Sequence, residues 1–67
     1  MSVAKVTEII ASSTTSFEHA IQTGIARANE TLRNVKGAWV AEMKVDCADG
    51  KITTYRVTMK VTFVLTD

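Results

Sequence analysis

With 67 residues and a net charge of +1, eight Lys and Arg scattered among seven Asp and Glu, the chain has no basic stripe of the kind that binds nucleic acid. One cysteine and one histidine exclude an intrachain disulfide and a Cys/His zinc centre, and without an apolar run near the roughly 18 residues of a membrane span, or a signal-peptide core, a cytoplasmic protein is expected. A hydrophobic content of 46% is more than one helix and a few strands can hide, so a single domain over residues 1–67 is expected to self-associate.

Residues 3–11, VAKVTEIIA, are rich in Val and Ile and alternate well enough to predict a strand. Lys5, Thr7 and Ile9 fall on one side of it, and Ala4, Val6, Glu8 and Ile10 on the other. The hydroxyl cluster Ser12 to Ser16 then supplies caps for a long helix predicted over Ser16 to Val35. Thr15 with Glu18 fits a capping box, and Ser16 is an equal candidate for the cap. Phe17, Ala20, Ile21, Gly24, Ile25, Ala28, Leu32 and Val35 form one apolar stripe at helical spacing, opposite Glu18, His19, Gln22, Arg27, Glu30 and Arg33. Gly37 is the expected stop. Gly24, which costs a helix about 1 kcal/mol against Ala, is expected where a strand approaches closely.

Two long runs follow, Ala38 to Asp46 and Lys51 to Leu65, separated by Asp49-Gly50, the strongest short hairpin signal because both central residues of a type I′ turn need positive φ. The second run alternates cleanly, Tyr55, Val57, Met59, Val61, Phe63 and Leu65 against Arg56, Thr58, Lys60 and Thr62. In the first, Trp39, Ala41, Met43, Val45 and Cys47 are expected on one apolar face, with Ala38, Val40, Glu42, Lys44 and Asp46 on the other. Strand, helix, strand, strand gives an α+β fold. Its three-stranded, antiparallel-dominated sheet has the order 1-3-2, with the last and longest strand central and one helix on one face. The apolar side of a hairpin longer than the helix has to be covered from outside the subunit.

The segments KVTEII at 5–10 with Ser12-Ser13, SFE with Ala20-Ile21, ARAN with TLRN over 26–34, and YRVTMKVTF at 55–63 resemble the dodecins, and the resemblance spans essentially the whole chain. It implies a hollow homododecamer that binds and stores or sequesters a small ligand, flavin as FMN or riboflavin, at two-fold interfaces, without catalysis. Motif spacing places the flavin-stacking tryptophan of the family at Gly37, whereas the tryptophan here is Trp39. Two residues along a strand keeps the same face and displaces the ring by about 7 Å. The family's flavin-contacting glutamine falls at Arg56, which donates hydrogen bonds but cannot accept them. Lys5 and Lys44 match basic positions of flavin-binding members.

Each candidate has a plainer role. Trp39 serves either as a stacking platform or as interface packing. Arg56 is either a ligand contact or half of a cross-strand or intersubunit ion pair. Asp46, Asp49 and Glu42 could offer oxygen ligands to calcium or simply solvate a turn, and a flavin-free structural cage, holding calcium, another ion or nothing, is the alternative function. Cys47 is expected to be a passive thiol. His19 is expected to be solvated, with no Ser, Cys or Asp placed beside it by spacing, so no catalytic residue is assigned.

Overall fold

The structure, a computed structural model, describes residues 2–65, so the extreme ends of the expected 1–67 unit lie outside the described residues. Four elements follow in order: β1 (Val3–Ser13), α1 (Phe17–Thr31), β2 (Val35–Ala48) and β3 (Lys51–Leu65). The sheet has the order β1-β3-β2, with both outer strands antiparallel to β3. This is the expected architecture, and the central strand is the one with the cleanest alternation.

Ser16 decides the helix start. Its extended backbone (φ −169°, ψ 165°) leaves its side chain free to accept from the His19 N–H at 3.0 Å. With Ser16 at the cap, the third helical residue is His19, so Glu18 cannot close a box. Phe17 packs edge-on against Tyr55, ring centroids 5.2 Å apart, and pins this end of the helix to β3.

The helix ends earlier than its apolar spacing suggests. Leu32 is already extended (φ −105°, ψ 143°), and Asn34 takes φ 60°, a left-handed conformation that Asn tolerates. The Asn34 carbonyl accepts from the Val64 N–H at 3.1 Å and tethers the reversal to β3. Leu32 and Val35 therefore continue the three-and-four spacing without belonging to the helix, and Gly37 is a residue of β2 rather than a helix stop.

The β2–β3 hairpin turns at Asp49 and Gly50, both with positive φ (53° and 75°), as the dipeptide requires. Irregularities interrupt its ladder at three places, and one of them overturns an expectation. Val40 lies opposite Met59 and Glu42 opposite Thr58, which makes Ala41 an extra residue that inverts the alternation of the strand. Met43 and Val45 consequently share a face with buried Val57 and with Tyr55, whereas Trp39 points outward with Glu42, Lys44 and Asp46. The single apolar face expected for Trp39, Ala41, Met43, Val45 and Cys47 does not exist.

The core is Ala20, Val57 and Met59, joined by Ile9, Ala11, Phe17, Ile21 and Ile25. It sits where α1 crosses β1 and β3, and α1 touches β2 least. A 15-residue helix is about 22 Å long at 1.5 Å per residue, while the long axis of the molecule measures 52 Å. Much of the sheet extends past its cover. Among the described residues Val3, Val6, Ile10, Trp39, Val40, Met43, Ile52 and Leu65 remain substantially exposed.

Gly24 is buried at the helix–sheet crossing, where an added Cβ would stand 2.5 Å from Met59 Cε and 2.9 Å from Ala11 Cβ. The methionine tip can swing aside; Ala11 Cβ is fixed to its strand. Gly24→Ala should thus destabilise, because overpacking costs about 1–3 kcal/mol and outweighs the helix-propensity gain of about 1 kcal/mol. Thermal unfolding tests this, and a raised melting temperature would show that β1 yields to the extra methyl.

Candidate functional site

The face of the sheet turned away from the helix carries most of the sequence candidates. Its central row is Arg56, Thr58, Lys60 and Thr62 of β3. Lys44, Glu42, Trp39 and Gly37 of β2 flank it on one side, and Ser12, Ile10, Glu8 and Val6 of β1 on the other. Trp39 is 51% exposed, and Lys60, its cross-strand partner, places Nζ 5.4 Å from the ring centroid, a cation–π contact. Gly37 lies on the same side two residues away, and a Cβ built there meets nothing within 4 Å. The indole is therefore bordered by open space on the Gly37 side.

A second cluster lies further along the same face. Lys44 is directly opposite Arg56, an arrangement of like charges that a ladder disfavours. Asp46 relieves it: Arg56 donates to Asp46 Oδ2 at 2.7 Å, and Lys44 Nζ lies 3.9 Å from Asp46 Oδ1. The Asp46 carbonyl also accepts from Thr53 Oγ1 at 3.1 Å. The guanidinium hydrogen bond holds the Asp46 carboxyl below the usual carboxylate range; partial desolvation opposes this, and the charges of Arg56 and Lys44 add to it. A cavity of about 440 Å³ opens beside the cluster, lined by Ile10, Glu42, Met43, Lys44, Arg56 and Thr58. Arg56 and the Trp39 partner Lys60 are four residues apart on β3, about 13 Å along the strand, so aromatic and charged clusters occupy different stretches of one face.

Not every candidate joins them. Lys5 pairs with Phe63 on the helix-side face, across the sheet from Trp39 and Arg56. Asp49 stands in the hairpin turn, beyond the cluster formed by Glu42 and Asp46. Among the described residues, no three His, Cys, Asp or Glu side chains gather within one chain to hold a metal ion. Cys47 is exposed near the hairpin tip. A further, mainly apolar cavity of about 520 Å³ lies between α1 and β1, with Ile9, Ala11, Gly24 and Leu32 in its walls.

His19 is exposed, as expected, but a serine stands beside it that sequence spacing does not place there. Ser13, buried with only 7% of its surface exposed, places Oγ 2.6 Å from His19 Nδ1. The same oxygen accepts from the Thr15 N–H at 2.9 Å and the Ser16 N–H at 3.4 Å, so it joins the ring to the backbone of the turn. The hydroxyl ties off the strand-to-helix turn. Sequence spacing missed it because β1 runs on to Ser13 and the chain then reverses; the cluster of hydroxyls ahead of the helix was the only signal.

Comparison with known proteins follows the same outline. Residues 3–66 match the family model described as Dodecin. The calcium dodecin of Mycobacterium tuberculosis is 45% identical over 65 residues, covering 94% of this chain and 89% of that protein. Dodecin from Streptomyces davaonensis superimposes with a TM-score of 0.93 at 38% identity, over 98% of this chain and 97% of that one. A crystal structure of the M. tuberculosis calcium dodecin, described as a calcium-chelating immunodominant antigen with a novel calcium-binding site, gives a TM-score of 0.81 at 35% identity, over 96% of this chain and 91% of the other.

Because its folded-state pKa is lowered, Asp46 contributes stability that is complete above the ordinary carboxylate range and disappears as pH falls through its own lowered value. Asp46→Asn should therefore lose less stability than the parent protein on acidification across that window. Melting curves recorded from neutral to acidic pH check this, alongside an NMR titration of the Asp46 carboxyl carbon. A midpoint at or above that of an unperturbed aspartate would mean that the Arg56 bond does not persist in solution.

Proposed function

The chain belongs to the dodecin family, and from that premise we propose that residues 1–67 form one dodecin-type unit, assembling into a hollow homododecamer that binds a small planar ligand without transforming it. The ligand proposed is a flavin, FMN or riboflavin, stored or sequestered by stacking. The observation that carries this is Trp39, an indole half exposed on the outward sheet face beside the open space at Gly37. An offset aromatic pair contributes about 0.5–1.5 kcal/mol beyond the area it buries, and Lys60, Lys44 and Arg56 on the same face can donate to ring carbonyls or to a phosphate. Arg56 offers no acceptor to a ring N–H, and the indole is displaced by about 7 Å from the family position. Both features favour a weaker flavin site than that of members with tryptophan at position 37.

Assembly is supported by the mismatch between a short helix and a long sheet. Apolar side chains left exposed on both faces, Val40 and Met43 on one and Val6 and Ile10 on the other, need cover that the described residues do not supply. A second reading rests on the 45% identical calcium dodecin: the same cage without flavin, in which Asp46, Asp49 and Glu42 supply oxygen ligands where copies meet. Arg56 engages Asp46 Oδ2, so Oδ1, with Lys44 Nζ 3.9 Å away, is the oxygen Asp46 would offer.

Light scattering at micromolar concentration should give the mass of about twelve chains, in keeping with closed symmetric assembly; the mass of one or two chains would overturn the cage. Titrating riboflavin and FMN while following flavin fluorescence should show quenching that Trp39→Ala weakens. The double substitution Gly37→Trp with Arg56→Gln should tighten binding by about tenfold or more. If neither protein quenches flavin while calorimetry detects calcium binding, the second reading replaces the first.

A further inference from the structure

Resting on the flavin reading, we propose that Lys60 is a movable cover on the Trp39 ring: it shifts to Glu8 when a planar ligand stacks on the indole, and so sets how readily the outward face is filled.

Lys60 stands on the central strand, with Trp39 of β2 directly opposite on one side and Glu8 of β1 directly opposite on the other. Directly opposed residues on one face have Cβ atoms about 4.5–5.5 Å apart, so both partners lie within range of a long, flexible lysine stem. The ammonium is with the indole, Nζ 5.4 Å from the ring centroid. The ion pairs among the described residues are those of Asp46 with Arg56 and Lys44, so the exposed Glu8 carboxylate does not hold Lys60. Exposed cation–π contacts and cross-strand ion pairs are of comparable strength, which leaves the two placements close in energy.

The direction from which Lys60 arrives makes it an obstacle to stacking. β3 is central and Trp39 belongs to an outer strand, so the lysine reaches the indole from the side of the polar row that offers hydrogen bonds to a ligand edge. A planar ring that rests on Trp39 and also meets that row takes the place of the ammonium. Lys60 then needs another partner. Glu42, opposite Thr58, is only a diagonal neighbour, whereas Glu8 is set directly across the ladder. One arrangement leaves the ring covered and Glu8 free; the other leaves the ring bare and Glu8 neutralised.

The test is a double-substitution cycle on the assembled protein, with riboflavin affinity followed by flavin fluorescence. Lys60→Thr uncovers the ring with the residue type of its row neighbours Thr58 and Thr62, and should tighten binding about threefold. Glu8→Gln removes the place to which the ammonium moves and should weaken binding by a similar factor, whereas in the Lys60→Thr background it should change nothing. Weaker binding in Lys60→Thr would make Lys60 a donor to the ligand rather than a cover, and would overturn the proposal. Unchanged binding in Lys60→Thr, or an effect of Glu8→Gln that is the same with and without Lys60, would do so too. Trp39 is the single tryptophan of the chain, so its emission reads the cover without any flavin. Acrylamide, a neutral quencher, should reach the indole more readily in Lys60→Thr than in the parent. If riboflavin binds to none of these proteins, the flavin reading itself fails; increased acrylamide quenching in Lys60→Thr still sustains the cover, and equal quenching refutes it.

Discussion

The close approach of α1 to the sheet at Gly24, against Met59 and Ala11, is the constraint on which the remaining layout depends. Because no side chain separates helix from strands there, the helix lies low across β1 and β3 and buries Ala20, Val57 and Met59 completely. Close packing of this kind makes a small core dense, but it also fixes where the core ends. The reversal at Leu32 to Asn34 leaves a helix of four turns on a sheet more than twice its length. The apolar surface beyond it, and the polar face behind it, are then available to other molecules.

Much of this was legible in the amino-acid order. The alternation of Tyr55 to Leu65, the Asp49-Gly50 turn and the stripe from Phe17 to Ala28 are strong periodic signals, and together they allow few topologies. The end of the helix was not legible, because Leu32 and Val35 keep helical spacing and only the backbone of Asn34 reveals the break. Nor was the inversion at Ala41. A bulge adds a residue without altering composition, and alanine fits either face, so the apolar series from Trp39 to Cys47 reads as continuous although it is divided between two surfaces.

The same difficulty governs the candidate site. Trp39, Arg56, Lys44 and Asp46 could each be singled out by residue type, and the family resemblance directed attention to Gly37 and Arg56. Which of them meet depended on register. Asp46 reaches Arg56 only because Lys44 is the residue directly opposite that arginine, which leaves Asp46 on the diagonal. Lys5 was separated from the others by the sheet itself, since its side chain alternates with Val6 onto the helix side. Ser13 and His19 meet through a chain reversal that no helical or strand spacing describes.

The extra residue at Ala41 also gathers onto one surface what an uninterrupted β2 would divide. In a regular strand, odd and even positions face opposite ways, so Gly37 and Trp39 would stand back to back with Glu42, Lys44 and Asp46. With a phase step between them, the aromatic ring and the ions share the outward face. One residue without a functional group of its own thus determines whether the strand presents a combined surface or two separate ones.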